Sequence, residues 1–247
     1  MPLDRSLTVF VPALNEERHI EATVDVVARS AQAAGTDYEV IVVDDGSTDR
    51  TGQIADRVAA QNPAVKVIHH GNRKGLGRGY RSAVQAATKS YFVFIPGDNS
   101  WPLDSVSRLF ALLGEADVVT SYPTNADEQR TRLRRILSSG YTTLVNALHG
   151  LGLRYYNGLT IYPTEFLRTH PVRASGFGFA AELLLTAIYE GMSVVEVGLG
   201  IQEREGGASK AVSTRNVASV VRSLVRSYWR LRLRRTRRKI IVPRRRG

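Results

Sequence analysis

One carboxylate stands alone after an apolar run in the stretch YFVFIPGDNSWP, residues 91–102. Tyr91 to Ile95 predict a buried strand, and Asp98 follows at its carboxyl end. A charge in such a place costs free energy to bury unless it is paired. The stretch therefore predicts that Asp98 has a partner, and the question is which group this is.

Two adjacent carboxylates end another apolar run, in VIVVDDGSTDRT. Asp44 and Asp45, followed by Gly-Ser-Thr-Asp, indicate a tight turn whose side-chain oxygens could accept hydrogen bonds from a ligand's hydroxyl groups or from a base. Alternatively the turn only begins a helix, with Ser47, Thr48 or Asp49 as the N-cap residue. The sequence leaves both interpretations open at this point.

Two common phosphate-binding motifs do not occur. GLGRG follows the third predicted strand, whereas the first strand–helix turn, PALNEE, has no glycine fingerprint, which argues against a Rossmann dinucleotide site. The chain also has no GxxxxGK[ST] phosphate loop.

The composition favours an α/β domain with an appendage over two small domains. The chain has 247 residues, of which 43% are hydrophobic, which is ample for a core. It has no cysteine, which excludes disulfides and thiolate metal ligands. We find no signal-peptide pattern, and no stretch approaches the roughly 18–20 apolar residues of a membrane-spanning helix, so we expect no span.

The net charge of +11 is concentrated near the C-terminus. Residues 215–247 contain thirteen Lys and Arg and no Asp or Glu, which leaves 21 basic and 23 acidic residues in 1–214. The charge therefore describes an appendage and not the body of the protein.

Apolar runs alternate with helical periodicity along the first hundred residues. Strands are predicted at 6–13, 38–47, 65–70 and 91–97, and helices at 15–35, 48–61 and 75–88. Further helices are predicted at 128–150, 179–191 and 215–242, and further strands within 153–167 and 193–204. This alternation predicts a mainly parallel sheet flanked by helices. Ligands bind such sheets at the carboxyl ends of the strands, so Asp44, Asp45 and Asp98 are expected to converge on one crevice.

Five motifs together resemble one enzyme family. VFVPALNEE, VDDGSTDRT, NRKGLGRGYRSA, FIPGDNSWP and EREGGASK occur in the order and spacing of family 2 glycosyltransferases, and the last resembles the dolichyl- or polyprenyl-phosphate mannosyl- and glucosyltransferase branch. The resemblance covers about residues 6–212. It implies a GT-A nucleotide-sugar-binding fold over residues 1–212, and transfer of a hexose, with inversion, from a UDP- or GDP-sugar to a polyprenyl phosphate.

The resemblance also implies roles for the residues that match the motifs. The residues that would contact the base and ribose of the donor are Pro12, Ala13, Leu14, Glu16, Asp44 and Asp45. The glycines that would let the backbone pass close to the donor are Gly75, Gly77 and Gly79. The residues that would lie over the diphosphate once a glycine-containing loop closes are Arg204, Ser209 and Lys210.

The resemblance further implies a partner for Asp98, which matches the second acid of the family's Asp-x-Asp motif and would bind Mg²⁺ or Mn²⁺. Such a cation, helped by Arg204 and Lys210, would stabilise the departing diphosphate. One aspartate can suffice when the substrate supplies most of the ligands.

The sequence departs from the family pattern around this site. Pro96 occupies the position of the first acid of the motif, so one contact to the nucleotide or metal is lost. Ser100 lies where a further metal ligand is common, and Trp101 replaces a polar residue, usually His. An arginine expected near Tyr122 is missing, and YYNG (155–158) replaces a stretch that contains Asp. We expect the metal site to persist, whereas the base and sugar of the donor are not specified.

Two kinds of acceptor remain open. A phosphate acceptor needs cationic guidance, for which Arg132, Arg134 and Arg135 are candidates, although a solvated basic face is an equal alternative. A soluble hydroxyl acceptor needs a general base, for which Glu182 is the candidate. Glu182 could equally be an acid that interacts with the dipole of its helix.

The predicted helix at 215–242 has apolar and aromatic residues on one face and arginines on the other. Together with the rest of residues 213–247 it forms a basic amphipathic extension, which suits peripheral attachment to an anionic membrane at its cytoplasmic face. Nucleic acid is the less favoured partner, and a non-catalytic RNA-binding protein is the alternative function. A third possibility is that the apolar face covers the catalytic domain or pairs with another copy. The sequence does not set the oligomeric state.

Overall fold

The computed structural model describes residues 5–126, 132–172, 179–202 and 244–246. The strands are β1 (Ser6–Ala13), β2 (Asp37–Asp44), β3 (Val65–His69), β4 (Tyr91–Phe94), β5 (Val118–Pro123), β6 (Thr160–Pro163), β7 (Val194–Leu199) and β8 (Arg244–Arg246). The helices are α1 (Ile20–Ala33), α2 (Thr51–Gln61), α3 (Leu76–Ala86), α4 (Leu103–Ala111), α5 (Arg132–His149), α6 (Thr164–Thr169) and α7 (Phe179–Tyr189).

The eight strands found among the described residues form one sheet in the order β3-β2-β1-β4-β6-β5-β7-β8. Every neighbouring pair is parallel except the two that involve β6, which runs antiparallel to β4 and β5. The mainly parallel sheet predicted from the sequence is therefore confirmed.

The strand order reverses at β1. The chain adds β2 and then β3 on one side of β1, and α3 returns it to the other side, where β4 pairs with β1. Such a reversal opens a crevice beyond the carboxyl ends of the two strands that flank it. The residues that follow β1, β2 and β4 are therefore the ones that face this crevice.

Two apolar layers cover the faces of the sheet, because side chains alternate along each strand. In β1, Phe10 packs on Tyr80 of α3, in the apolar layer that also contains Leu184 of α7. Val9 belongs to the layer on the other face, where Val24 of α1 is buried. Both faces of the central strands are thus buried, which explains why their sequences are nearly continuous apolar runs.

Several helix boundaries differ from the predictions because polar loops precede the helices. α1 begins at Ile20 and not at residue 15, since Asn15 has φ of +57° and lies in a turn. α2 begins at Thr51 and not at residue 48; Oδ1 of Asp49 accepts a hydrogen bond from the Thr51 N–H at 2.9 Å. Of the three capping candidates, Asp49 therefore satisfies an N–H group of the first turn.

Three elements within 103–169 have no counterpart in the sequence prediction, namely α4, β5 and α6. The predicted C-terminal helix at 215–242 lies wholly outside the described residues, as does the rest of 203–243. β8, from the predicted extension, pairs in parallel with β7 at the edge of the sheet. Among the described helices, none has both the length and the apolar character needed to cross a membrane.

Candidate active site

Asp45 joins the end of β2 to the loop that precedes α3. Its Oδ1 accepts the Lys74 N–H at 2.9 Å and lies 2.9 Å from Nδ1 of His70, and its Oδ2 accepts the Gly75 N–H at 2.7 Å. Burial alone raises the pKa of Asp45, but the hydrogen bonds from these three residues outweigh it and lower the pKa. Gly75 has φ of +86°, a conformation that favours glycine. Asp45 therefore fixes the backbone of the glycine-rich loop.

Asp44 is buried at the last position of β2 and makes two contacts. Its Oδ1 accepts the Ser47 N–H at 3.0 Å, and its Oδ2 lies 3.3 Å from Nδ1 of His69. The other ring nitrogen of His69 lies 2.9 Å from Asp56. The pKa of His69 is raised, chiefly by Asp56 and also by Asp44, although burial opposes this. Asp44 is thus held in place from both sides.

The loops that follow β1 and β2 are joined directly. The Asn15 N–H donates to Oγ of Ser47 at 3.0 Å, and Oδ1 of Asn15 accepts the Thr48 N–H at 2.9 Å. The Glu16 N–H donates to Oγ1 of Thr51 at 2.8 Å. Ser47 and Thr48 therefore hold the first loop and do not cap α2. Pro12, Ala13, Leu14 and Glu16, which the motif assigns to the donor, belong to β1 and this joined pair of loops.

The ends of β1 and β4 touch at Gly97. A Cβ atom added to Gly97 would lie 2.6 Å from the carbonyl oxygen of Pro12, so no other residue fits there without a shift of the backbone. Asp98 follows and is half-buried, and its Oδ1 accepts the Ser100 N–H at 3.2 Å. The structure therefore places Asp98 beside the crevice where the strand order reverses.

The chain that follows β7 is anchored to the same loop. The Gln202 N–H donates to the carbonyl oxygen of Ser100 at 3.1 Å, and the Gln202 side chain donates to the carbonyl oxygen of Asn99. Asn125 holds Ile201 through two hydrogen bonds of 2.8 and 2.9 Å. EREGGASK (203–210) therefore starts immediately after Gln202, which is bound to the loop at 97–100, the Asp98 loop. Its predicted site residues, Arg204, Ser209 and Lys210, lie outside the described part of the chain.

The Asp98 loop has the oxygen donors that a divalent cation accepts. Beside the Asp98 carboxylate, Oδ1 of Asn99 is buried and accepts no hydrogen bond from the residues that the structure describes. Asn99 itself has φ of +52°, and its N–H donates to Thr23 at 3.1 Å. No group of three or more His, Asp or Glu suited to a metal occurs within the described ranges. The loop therefore fits a cation that receives most of its ligands from a diphosphate and water.

Trp101 and Gly79 both pack in the hydrophobic core. Trp101, which stands where a polar residue is usual, is buried among the apolar residues of the α1 and α4 face. Gly79 faces the other side of the sheet, where an added Cβ atom would lie 3.5 Å from Phe10 and 3.6 Å from Val43. Its contacts indicate helix–sheet packing, which differs from the close approach to the donor that the motif implies.

A polar cavity of about 410 Å³ lies between the end of β5, the first half of α5 and the loop that precedes β6. The lining residues with charge or aromatic character are Tyr122, Arg135, Arg154 and Tyr155. The guanidinium carbon of Arg154 lies 4.6 Å from the centre of the Tyr122 ring, a cation–π contact. Arg154 therefore brings a guanidinium group to the position where an arginine near Tyr122 is missing from the sequence.

Of the other three candidate acceptor residues, Arg134 has a side chain outside the described part of the structure, and Arg132 and Glu182 do not line this cavity. Arg132 is exposed at the start of α5. Glu182 is half-buried in the first turn of α7, where Phe179 packs on Tyr80 with ring centres 5.1 Å apart. A role as general base therefore stays a prediction for Glu182.

Residues 8–171 match the family model described as Glycosyl transferase family 2. The chain belongs to this family. It is 32% identical over 221 residues to the polyprenol monophosphomannose synthase of Mycolicibacterium smegmatis, covering 85% of this chain and 82% of that protein. It is 29% identical over 247 residues to the glycosyltransferase AglD of Haloferax volcanii, covering 96% of this chain but only 39% of that longer protein.

The fold of this family 2 glycosyltransferase also matches a solved structure. Glucosyl-3-phosphoglycerate synthase from Mycobacterium tuberculosis, in complex with Mn²⁺, UDP-glucose and phosphoglyceric acid, superposes with a TM-score of 0.69 at 23% identity, over 90% of this chain and 80% of that one. The predicted GT-A fold, family and enzyme class are confirmed. The chain is a glycosyltransferase related to polyprenyl-phosphate mannosyltransferases.

Sequence reasoning missed the residues that support the predicted ones. His69 is the last residue of β3 and His70 follows it, where a pair of polar residues could have suggested a second contact for Asp44 and Asp45. Asn15 within PALNEE carries a weaker signal, since asparagine tolerates positive φ. Nothing in the sequence links Arg154 with Tyr122, because their contact depends on how β6 enters the sheet.

Proposed function

We propose that this glycosyltransferase moves a hexose from a UDP- or GDP-sugar to a polyprenyl phosphate, with inversion and with a divalent cation, at the cytoplasmic face of a membrane. The observation that carries the proposal is the position of Asp98. Asp98 lies at the strand-order reversal, and its loop is hydrogen-bonded to Gln202. Gln202 in turn directly precedes the segment that contains Arg204 and Lys210. This arrangement can gather a cation and two basic side chains around one diphosphate.

The donor half of the crevice would hold the nucleoside. The joined loops after β1 and β2 and the glycine-rich loop fixed by Asp45 present backbone groups around it. Since Asp44 and Asp45 already accept hydrogen bonds within the protein, their main contribution would be to keep these loops rigid before the donor binds. The shape of the pocket would determine which base and which sugar are bound.

The leaving group would need compensation of charge. Arg204 and Lys210 would neutralise the developing negative charge on the nucleoside diphosphate, and Ser209 would donate a hydrogen bond to it. Mg²⁺ or Mn²⁺, held by Asp98 with an oxygen of Asn99 or Ser100, would add further positive charge when bound. A protein of the same fold solved with Mn²⁺ and UDP-glucose supports this cofactor class.

The cavity beside α5 would take the phosphate of the acceptor. Arg135 and Arg154 both line it, and guanidinium groups bind phosphate through two parallel hydrogen bonds. A phosphate oxygen would attack the anomeric carbon as the bond from that carbon to the diphosphate oxygen breaks. The acceptor is already anionic, so the reaction needs no general base. The polyprenol monophosphomannose synthase relative supports this class of acceptor.

Transfer of radiolabelled sugar tests the proposal. Purified protein, Mn²⁺ and a panel of labelled UDP- and GDP-sugars are incubated with a short-chain polyprenyl phosphate, and the mixture is extracted with butanol. We expect label in the lipid phase that depends on both the cation and the polyprenyl phosphate. Label found only in a water-soluble product would replace this proposal with a hydroxyl acceptor and Glu182 as base. Absence of both nucleotide binding and turnover would contradict catalysis itself.

A further inference from the structure

Within the part of the chain that the structure describes, one side of α5 forms an apolar surface that the proposed function does not explain. All large apolar side chains that are exposed in the described part of the chain belong to this helix, with exposed fractions between 41% and 69%. They are Leu133, Ile136, Leu137, Leu144 and Leu148. We name these five residues the α5 apolar face.

Their spacing places them on a single side of the helix. Successive members are three, one, seven and four residues apart, and at 100° per residue all five fall within an arc of about 120° on one helical face. Val145 and His149 lie on the opposite side and are buried in the protein. The helix therefore packs on the domain through one side while it presents Leu and Ile to the surroundings through the other. Leaving such a row in water costs free energy unless a partner covers it.

We propose that the α5 apolar face docks the protein onto an anionic lipid surface. α5 contains three arginines at its first turn and no Asp or Glu, so its charge complements an anionic bilayer. An apolar row beside basic residues is the pattern of helices that lie in the membrane interface, with the apolar side inserted among the lipids.

The dimensions of the face disfavour a protein partner. The row from Leu133 to Leu148 is about 22 Å long, and with a helix diameter of about 10 Å it offers roughly 220 Å². A standard protein–protein interface takes about 800 Å² from each partner. The basic segment 215–247 is also a poor cover, since its thirteen Lys and Arg would be repelled by the arginines of α5.

The orientation that results suits the proposed reaction. Arg135, Ser139 and Thr142 of the same helix line the polar cavity, so α5 separates that cavity from the apolar face by its own thickness. With the apolar face inserted, the cavity would lie at the level of the lipid phosphates. The inference rests on the proposed function only for this last consequence, because docking itself needs no nucleotide-sugar and no polyprenyl phosphate.

Sedimentation with vesicles tests the inference. The full chain and the double variant Ile136→Ser/Leu144→Ser are mixed with vesicles of equal parts phosphatidylcholine and phosphatidylglycerol. We expect the partition coefficient of the variant to fall about tenfold or more, since two aliphatic side chains no longer enter the lipid. The matched control is Gln53→Ser/Ala60→Ser, two exposed positions of α2, which should bind vesicles as the unmodified chain does. Thermal unfolding should give the same melting temperature for all three proteins.

Three outcomes would overturn the inference. Unchanged vesicle binding by the α5 variant would assign docking to residues outside α5. Unchanged binding together with a lower melting temperature would mean that the chain itself covers the face. Unchanged binding together with a shift from dimer to monomer in light scattering would make the face an interface between copies. The vesicles contain no acceptor, so failure of docking and failure of sugar transfer are separate results.

Discussion

Nδ1 of His70 lies 2.9 Å from Oδ1 of Asp45, and both side chains are buried. The pair connects the end of β2 with the end of β3, while Asp45 also accepts two N–H groups of the loop before α3. The carboxylate of Asp45 thus accepts hydrogen bonds from residues that lie 25 to 30 positions further along the chain, and it holds these segments against the end of β2. An acid expected to contact the donor therefore also determines the shape of the loop around it.

Replacing Asp45 by Asn should destabilise this arrangement. The amide would present an N–H group to an N–H donor of Lys74 or Gly75, and an unsatisfied buried donor costs about 1–3 kcal/mol. Urea unfolding should therefore show that the free energy of unfolding falls by this amount, and calorimetry should show weaker binding of nucleotide. The control is Asp25→Asn, which removes an exposed pair with Arg29 and should change stability little. Equal effects of the two substitutions would contradict the structural role of Asp45.

Replacing Gly97 by Ala should separate the ends of β1 and β4. The new Cβ atom would lie 2.6 Å from the Pro12 carbonyl oxygen, and backbone atoms can relieve this only by moving. We expect a loss of about 1–3 kcal/mol in the free energy of unfolding, as for other overpacked sites. Gly71→Ala is the matched control, since an added Cβ atom there meets nothing within 4 Å. Wild-type stability of Gly97→Ala would show that the crevice tolerates a wider opening.

The sequence allowed prediction of the first half of the fold because local patterns decide it. β1 and β2 are buried on both faces and read as continuous apolar runs, whereas the reversal of strand order at β1 is seen only in the structure. α4 and β5 were missed because they are short, with nine and six residues, and lie where the periodicity is weak. Packing against α1 and β7, and not local pattern, stabilises them.

The candidate site was predictable in position but not in its internal contacts. Asp45, Asp98 and Gly75 follow the ends of strands or precede a helix, so the sheet alone brings their loops to one edge. The contacts of Asn15 with Ser47 and of Gln202 with Asn99 join residues 32 and 103 positions apart. Such pairings depend on the angle at which loops leave the sheet, and residue type does not encode that angle.

Replacing Asp98 by Ala should abolish turnover that depends on Mn²⁺. Loss of the carboxylate removes the charge that would hold the cation. Because a bound cation stabilises the transition state by several kcal/mol, the rate should fall at least about 100-fold. Activity is measured across a titration of Mn²⁺, with calorimetry of nucleotide binding alongside. Asp104→Asn, an exposed acid of α4 six positions further along the chain, is the control. Near-normal, cation-dependent activity of Asp98→Ala would place the metal elsewhere.

Replacing Arg154 by Gln should weaken binding of the acceptor and leave binding of the donor unchanged. A charge-assisted hydrogen bond to phosphate contributes about 1.5–3 kcal/mol, so KM for polyprenyl phosphate should rise about tenfold or more. Arg154→Lys keeps the charge but loses the planar contact with Tyr122, and should have an intermediate effect. Arg29→Gln, at an exposed position of α1, is the control. A rise in KM for the nucleotide-sugar instead would assign the cavity to the donor.

His69 should make part of the stability depend on pH. Asp56 and Asp44 raise the pKa of its imidazole above the ordinary 6.5, so the charged form stabilises the folded state at pH values below 6.5. This contribution is lost as the pH rises through the raised pKa, because both states then bind no proton at this ring. The free energy of unfolding of the wild type should therefore exceed that of His69→Gln by more at about pH 5.5 than at about pH 8.5. Asp56→Asn should reduce the same difference, since it removes the partner with the largest effect on the pKa. Parallel pH profiles for the wild type and His69→Gln would mean that the contacts of His69 with Asp44 and Asp56 do not favour its charged form.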